Sequence, residues 1–304
     1  MIYVTQGHED GVGLEVFLKS ILCFSQSRIE KFILVCFKKS LTKTLDSLHL
    51  SYKISPDHLE FSNIKINLKI IDTCVKTEST DSLQYALSQI KSQDILLTLP
   101  TSKDQLFFEK HQVNGYTEYF RKFYKNSNIT MNFLAHNQNF LLLSDHISID
   151  EVSSKLNEKN IIQKTELTLN NLNNFRFITD VYFSGIDPHC GENGHISNHD
   201  QVFDKVILSL EQKFPNINFK GPFSGDTLHM KYEDRPGQLF IYAYHDQGLA
   251  PFKLKNGLIG INLSLGLPFR RVSVDHGTAF DLYGKNSANY QGMLYLMNEI
   301  EKWE

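Results

Sequence analysis

Short apolar runs alternate along most of the chain with stretches whose apolar residues recur at helical spacing. The runs that predict β-strands are residues 2–5, 32–37, 69–72 with their neighbours, 95–99, 140–144, 181–185 and 239–244. Runs that are apolar at nearly every position are typical of strands covered on both faces, as in parallel sheets. Because such runs alternate with helical stretches, the pattern predicts a doubly wound α/β fold.

Two helical segments stand out. In residues 198–214 an apolar residue recurs every fourth position and forms one stripe, at Val202, Val206, Leu210 and Phe214. Residues 290–303 predict a last helix that packs back on the body of the protein. No linker or internal repeat marks a boundary. We place a first α/β domain at 1–98 with 262–304 and a second at 99–261, with the junctions near the segment "LTLPTSKD" and near residues 255–262.

Composition narrows the class of protein. The 304 residues are 41% hydrophobic and 21% charged, as in ordinary globular proteins, and the net charge of −3 favours neither nucleic acid nor an anionic membrane as a partner. The N-terminus turns polar after four residues, and no apolar run approaches the roughly 20 residues that span a bilayer. The four cysteines show no CxxC pairing. We expect a soluble, cytoplasmic protein without a disulfide framework.

Three predicted strands are closely followed by a histidine. His146 comes two residues after the run 140–144, and His189 four residues after 181–185. His245 directly follows 239–244 and begins a polar, glycine-bearing turn. Ligands of open α/β sheets bind outside the carboxyl ends of the strands. Three imidazoles there would supply nitrogen ligands to a divalent metal and leave positions open for substrate, with Asp187, Asp226 or Asp246 orienting a ligand.

The histidine pattern leaves alternatives open. The chain has 12 histidines, so these three can also be unrelated loop residues. A three-histidine site is moreover weakly specific, because hydrolases, lyases and dehydrogenases all use one.

Two other glycine-bearing regions are candidates for anion or nucleotide binding. The loop after the first strand contains Gly7, Gly11 and Gly13 and opens a helix whose N-terminus suits an anion, although its spacing is not GxGxxG. The polar stretch 275–286, "DHGTAFDLYGKN", suits the adenosine end of a nucleotide. The alternatives are a strand-to-helix turn without a ligand and a capped loop before the last helix.

Several polar side chains suit a small anionic substrate. Lys253, Asn262 and Arg271 together could clamp a carboxylate and a phosphate, although single basic residues usually serve solvation. Lys103 and the segment 115–120 are further candidates. Within that segment, Tyr116 can be a packing residue, and Thr117 with Glu118 can be helix start signals.

Four segments, in order, resemble motifs of the 4-hydroxythreonine-4-phosphate dehydrogenase family: "SGIDPHCGENGH", "GPFSGDTLH", "YHDQGLAPFK" and "INLSLGLPFRRVSVDHGTAFDLYGK". The resemblance implies NAD-dependent oxidation of a phosphorylated hydroxy-amino acid on the route to pyridoxal phosphate, with NADP as a possible substitute. It also implies two α/β/α domains of the isocitrate and isopropylmalate dehydrogenase type with the active site in the cleft between them. A homodimer that shares its active site is implied as well.

The same resemblance assigns roles to individual residues. The metal ligands are His146, His189 and His245, for Zn²⁺, Mg²⁺, Mn²⁺ or Co²⁺. The substrate-binding residues are Tyr116, Thr117, Lys253, Asn262 and Arg271. The catalytic candidates are Lys103, Asp226 and Asp246. The cofactor-binding residues are Gly11, Gly13, His276, Thr278 and Asp281.

The chain departs from the family pattern at several positions. Tyr116 stands where the family has a substrate-contacting histidine, and a phenol cannot supply imidazolium charge. His8, Glu9 and Leu14 alter the first loop, and Asp187 replaces an asparagine. These departures keep three alternatives open: a related dehydrogenase for another phosphorylated hydroxy acid, a metal-dependent hydrolase or lyase without a dinucleotide, and a family member that binds ligand without turnover.

Overall fold

A computed structural model describes residues 1–303 of the chain. Backbone contacts divide these residues into two compact units. Unit 1 comprises residues 1–126 with 267–302, and unit 2 comprises 127–266 with Trp303. The junctions lie after residues 126 and 266, whereas the sequence suggested 98 and 261.

The contacts of the segments around the two junctions explain this division. The carbonyl of Gln105 accepts hydrogen bonds from the hydroxyls of Thr77 and Thr80 at 2.5 and 2.7 Å, which ties the segment after residue 99 to unit 1. Residues 261–265 pair with residues 130–134, which ties that strand to unit 2.

Unit 1 alternates strands and helices. Its strands are β1 (Ile2–Thr5), β2 (Phe32–Phe37), β3 (Tyr52–Ile54), β4 (His58–Phe61), β5 (Ile64–Ile71), β6 (Ile95–Thr98), β7 (Phe107–Phe108) and β8 (His111–Gln112). Its helices before the first junction are α1 (Gly13–Ile21), α2 (Gln26–Ile29), α3 (Lys38–Ser47), α4 (Glu78–Gln89) and α5 (Tyr116–Phe123).

Unit 2 supplies the next elements along the chain. Its strands are β9 (Thr130–Leu134), β10 (Asn139–Leu142), β11 (Asp180–Ser184), β12 (Asn218–Phe223), β13 (Gln238–Tyr242) and β14 (Ile261–Leu265). Its helices are α6 (Val152–Lys155), α7 (Glu158–Leu172), α8 (Val202–Lys213) and α9 (His245–Asn256). The chain then returns to unit 1 with β15 (Arg270–Val274) and α10 (Gln291–Ile300).

Each unit has its own strand order. In unit 1 the order is β15-β6-β1-β2-β5-β4-β3, parallel from β15 to β5 and closed by an antiparallel hairpin. In unit 2 the order is β12-β11-β13-β10-β9-β14, parallel from β12 to β10 and antiparallel beyond. The chain leaves β1 toward β2 and later returns to its other side as β6. That reversal makes the β1/β6 boundary a topological switch point, where ligands of such sheets bind.

The core of unit 2 consists largely of aromatic side chains. Phe140 is fully buried, and its ring centroid lies 5.1 to 5.8 Å from those of Tyr242, Phe252 and Phe240. Leu249 and Phe252 bring α9 into this cluster. Gly248 allows the close approach of the helix, because a Cβ there would lie 2.7 Å from Leu142 and 3.1 Å from Tyr242.

Several sequence predictions are confirmed and others are wrong. β1 and β2 have the predicted bounds, and α10 lies within the predicted 290–303. In the predicted helix 198–214, Val206 and Leu210 are buried as expected, but Phe203 completes the buried stripe, while Val202 and Phe214 are only half-buried. The turn predicted at His245 is wrong, because residues 245–256 form α9. Gly248 and Pro251 disfavour helix in isolation, and burial of Leu249 and Phe252 outweighs them.

No helix within residues 1–303 combines the length and the apolar character that crossing a bilayer requires.

We expect Phe140→Ala to lower the free energy of unfolding by about 3–5 kcal/mol, because it removes a fully buried ring from a packed cluster. Chemical denaturation measures this change. Phe177→Ala is the matched control, since that ring is 76% exposed, and its effect should stay within about 0.5 kcal/mol. Equal effects of the two substitutions would contradict the assignment of Phe140 to the core.

Candidate active site

The carboxyl ends of the parallel strands of unit 2 carry most of the predicted metal and catalytic residues. The register pairs Leu142 of β10 with Tyr242 of β13, and Phe183 of β11 with Ile241 of β13. His146, His189 and His245 therefore follow strand ends that meet at one edge, and Asp226 follows β12 at the same edge. The positions of the three histidines just after predicted strands already indicated this arrangement.

His146 and His245 are close neighbours, with ring centroids 5.5 Å apart. An imidazole that binds zinc has its centre about 3 Å from the ion, so two imidazoles at a tetrahedral angle have centres roughly 5 Å apart. The separation of this pair therefore fits a shared divalent ion. His245 Nδ1 lies 2.7 Å from Asp246 Oδ1. When Nδ1 carries the proton, it donates to this carboxylate and Nε2 presents its lone pair to a metal.

His189 lines a cavity of about 450 Å³ together with Asp226, Asp246 and Gln247. A hydrogen bond from Ser224 Oγ at 2.5 Å is the main influence that holds the pKa of Asp226 below its usual range. The nearby His189 acts in the same direction through its charge. Asp226 is therefore a carboxylate at neutral pH. The donor atoms of the three predicted metal histidines do not all lie within 4.8 Å of one another in the described chain.

His189 opens a left-handed turn. Residues 189–193 have φ between 45° and 75°, and only Gly191 among them lacks a side chain. L-residues pay roughly 1–2 kcal/mol each for left-handed helical backbone, so the four non-glycine residues of this turn need support from their surroundings.

Buried and partly buried carboxylates supply part of this support. Asp200 is 5% exposed, and its two oxygens accept hydrogen bonds from the amides of Ile186 and Asp187 at 2.6 and 3.1 Å. Asp187 in turn accepts from Ser197 Oγ and lies 2.7 Å from His199 Nδ1. Burial raises the pKa of Asp187, but these partners outweigh it and leave that pKa below its ordinary value. Asp187 does not contact a predicted metal ligand in this network. Sequence analysis missed Asp200 and His199, which carry no local signal.

Two predicted substrate residues of unit 2 lie on separate elements. Lys253 is exposed in the last turn of α9. Asn262 lies on β14 opposite Phe133, and its buried Oδ1 has no hydrogen-bond partner within residues 1–303. Because a buried acceptor without a partner is costly, this oxygen suits a donor group of a ligand.

Unit 1 brings Arg271 and Tyr116 into contact. Arg271 is 3% exposed, and its Nε and Nη2 donate to Thr98 Oγ1 at 3.1 and 2.6 Å. Its guanidinium carbon lies 4.8 Å from the centre of the Tyr116 ring, a cation–π distance. Burial lowers the pKa of Arg271 to about 10, so it remains charged at neutral pH. The Tyr116 hydroxyl donates to the carbonyl of Leu99 at 3.1 Å, and burial raises the pKa of this phenol far above its usual value.

The other substrate and catalytic candidates of unit 1 are Thr117, which follows Tyr116, and Lys103. Thr117 is buried in the first turn of α5, and the carboxylate of Glu118 accepts from the amide of Asn114 at 2.8 Å. This contact agrees with the helix-start interpretation of the segment. Lys103 is exposed at the start of a short 3₁₀ turn, residues 103–105.

The loop with Gly11 and Gly13, which follows β1 at the switch point of unit 1, contacts the predicted cofactor segment at Thr278. The amide of Val12, between Gly11 and Gly13, donates to the carbonyl of Thr278 at 3.0 Å. A Cβ on Gly11 would lie 3.3 Å from that same carbonyl. His276 Nδ1 lies 2.9 Å from the carbonyl of Gly277, and Asp281 is exposed in a 3₁₀ turn.

One group that sequence analysis did not assign to a metal lies in the first loop of unit 1. The donor atoms of His8, Glu9 and Asp10 lie within 4.8 Å of one another, the one such trio within residues 1–303. The ammonium of Lys43 lies 3.8 Å from Asp10 and already balances part of its charge. The signal for this group in the sequence was three successive potential metal ligands, "HED" at residues 8–10.

Comparisons with known proteins place the chain in a family. The family described as pyridoxal phosphate biosynthetic protein PdxA matches residues 19–298. A 4-hydroxythreonine-4-phosphate dehydrogenase from Sulfurimonas denitrificans is 32% identical over 290 residues, which are 92% of this chain and 90% of that protein. A D-threonate 4-phosphate dehydrogenase from Cupriavidus necator is 30% identical over 217 residues, 70% of this chain and 65% of that protein.

Solved structures agree on the fold. The crystal structure of a 4-hydroxythreonine-4-phosphate dehydrogenase from Klebsiella pneumoniae has a TM-score of 0.76 at 23% identity, covering 100% of this chain and 99% of that one. Isocitrate dehydrogenase from Methylococcus capsulatus has a TM-score of 0.52 at 11% identity, covering 99% and 84%. The fold is therefore the α/β fold of the isocitrate dehydrogenase type. The chain belongs to the PdxA family, an oxidoreductase family of pyridoxal phosphate biosynthesis.

We expect Tyr116→Phe to lower the free energy of unfolding by about 1–2 kcal/mol, because it leaves the buried Leu99 carbonyl without this donor. Chemical denaturation again provides the measurement. In the control variant Tyr52→Phe, the lost hydrogen bond to Asp46 is exposed, so the change should be about 0.5 kcal/mol or less. A Tyr116→Phe variant as stable as the parent protein would show that the hydroxyl is not committed to Leu99.

Proposed function

We propose that the protein catalyses the NAD-dependent, divalent-metal-assisted oxidation and decarboxylation of 4-phosphooxy-L-threonine to 3-amino-2-oxopropyl phosphate. The family supports the reaction class and the substrate class. The observation that carries the metal's part is the 5.5 Å separation of the His146 and His245 rings at the strand edge that also bears His189.

The residues of unit 2 would bind the ion and accept the substrate proton. His146, His189 and His245 would hold the ion, and the carboxylate of Asp246, 2.7 Å from His245 Nδ1, would keep His245 in the tautomer that binds it. The bound ion would lower the pKa of the substrate hydroxyl. Asp226 and Asp246 remain the catalytic candidates in unit 2, and Lys103 is the candidate in unit 1. Asp226 lines the same cavity as His189, and this placement suits the role of proton acceptor.

The remaining proposed roles concern anions and the cofactor. The ammonium of Lys253 and the guanidinium of Arg271 would bind the phosphate and carboxylate of the substrate, and Asn262 Oδ1 would accept from its amine. Gly11, Gly13, His276, Thr278 and Asp281 would bind the dinucleotide, which supplies the redox chemistry. The family resemblance also supports a homodimer with a shared active site.

The proposed reaction balances in two stages. The hydroxyl proton passes to a protein base, and hydride leaves the same carbon for NAD, so the alcohol becomes a ketone. The resulting β-keto acid then loses carbon dioxide. The electron pair of the broken carbon–carbon bond takes up a proton and leaves the aminoketone phosphate.

The first test is NADH absorbance during incubation with 4-phosphooxy-L-threonine and NAD, with no metal or with Zn²⁺, Mg²⁺, Mn²⁺ or Co²⁺. We expect turnover that depends on metal and is abolished together with metal binding in His189→Ala. His195→Ala is the matched control, because His195 lies in the same loop, is exposed and is not a predicted ligand. Full activity without metal would refute the proposed mechanism, and tight metal binding without NAD binding would favour a hydrolase or lyase.

A related dehydrogenase for another phosphorylated hydroxy acid is the second candidate. Tyr116 favours it, because its hydroxyl is already bonded to Leu99 and its ring covers Arg271. The Cupriavidus necator relative is named for D-threonate 4-phosphate. A folded protein that binds metal and NAD but oxidises D-threonate 4-phosphate alone would establish this alternative. Turnover of neither compound would favour a family member that binds ligand without turnover.

If Tyr116 sets this preference, Tyr116→His should raise kcat/KM for 4-phosphooxy-L-threonine relative to D-threonate 4-phosphate by about 10-fold or more. One hydrogen bond to a charged group is worth about 1.5–3 kcal/mol. Tyr116→Phe serves as the control, since it keeps the ring and adds no donor. An unchanged ratio in Tyr116→His would mean that position 116 does not set the specificity.

A further inference from the structure

Gln247, in the first turn of α9, contacts the segments that follow three strands of unit 2. Its Oε1 accepts from the amide of Ala243, just after β13, at 2.8 Å. Its Nε2 donates to the carbonyl of Gly185, just after β11, at 2.8 Å. A Cβ on Gly225, just after β12, would lie 2.6 Å from Nε2. One side-chain amide therefore connects the exit that carries His189 to the exit that carries His245.

The segment that Gln247 holds leads directly into the left-handed turn at His189. Gln247 binds the carbonyl of Gly185, and Asp200 binds the next two amides, those of Ile186 and Asp187. Three successive residues are thus held by two side chains from different elements. Because left-handed backbone is intrinsically unfavourable, the direction in which the turn presents His189 depends on such external contacts.

We propose that Gln247 is a positioning residue that orients His189 toward the pair formed by His146 and His245. The proposal rests on the proposed metal role of these histidines. Gln247 would act through the Gly185 carbonyl and the backbone that follows it, without touching the metal. Its closeness to Gly225 explains why that position has no side chain.

The two hydrogen bonds of Gln247, to Ala243 and to Gly185, can be removed separately because the side-chain amide accepts one and donates the other. An amide donates and accepts, an ionised carboxylate only accepts, and a thioether does neither well. Gln247→Glu keeps the acceptor for Ala243 at nearly the same shape and loses the donor for Gly185. An acidic residue also suits the first turn of a helix, so α9 should keep its N-terminal stabilisation. Gln247→Met loses both contacts.

The test is a Co²⁺ titration of the full-length protein, followed by the visible absorption of the bound ion, with the thermal midpoint measured in parallel. We expect Gln247→Glu to bind Co²⁺ about 10–100-fold more weakly, the usual effect of removing a group that orients a metal ligand. Its thermal midpoint should fall by only a few degrees, because the favourable charge in the first turn of α9 offsets part of the lost hydrogen bond. The added negative charge by itself attracts a cation, so weaker binding would report lost geometry.

Three further variants complete the design. Gln212→Glu adds the same charge at an exposed site of α8, and it should bind Co²⁺ like the parent protein. Gln247→Met should lose both affinity and thermal stability. His189→Ala tests the metal site itself and should lose Co²⁺ binding.

The outcomes separate the two proposals. If the parent protein fails to bind Co²⁺, or if His189→Ala binds it unchanged, the metal site is refuted, and the role of Gln247 falls with it. If those two behave as expected but Gln247→Glu binds like the parent protein, Gln247 only stabilises the start of α9 and the positioning role alone is refuted.

Discussion

The parallel register of β10, β13 and β11 is the constraint on which the rest of unit 2 depends. Backbone hydrogen bonds pair Leu142 with Tyr242 and Phe183 with Ile241. A slip of one residue would exchange the two faces of a strand, and these strands are buried on both. The register therefore fixes where each of these strands ends along the sheet and where the loop that follows it begins. His146, His189 and His245 share one edge because of it.

A buried cation organises the site residues of unit 1. Arg271 is charged at neutral pH although it is almost wholly buried. The Thr98 hydroxyl accepts from two of its nitrogens, and the face of Tyr116 offers the negative side of its ring. Tyr116 is in turn held by the Leu99 carbonyl. The side chain at position 116 therefore affects how the Arg271 guanidinium is held. It also determines which groups position 116 itself can offer to a ligand.

The two best-defined departures from the family pattern are both accommodated inside the protein. By the resemblance, Asp187 stands where the family has an asparagine, and its carboxylate contacts Ser197 and His199. By the same resemblance, Tyr116 stands where the family has a histidine, and both its hydroxyl and its ring make contacts. Neither change leaves an unsatisfied buried group on the substituted side chain. Both side chains are therefore compatible with a stably folded protein.

Local pattern determined a large part of this protein. Continuous apolar runs identified the central strands, because a strand covered on both faces must be apolar throughout, and strand ends followed by histidine identified the metal candidates. The strand β9 and the edge elements were not predicted, because their residues lack a distinctive period. Tertiary structure alone decided that residues 245–256 form a helix, since Gly248 is needed for contact with Leu142 and Tyr242. It alone decided that Asp200 and Gln247 hold the backbone before His189. Such contacts join residues far apart in the chain, and no local spacing encodes the distance between them.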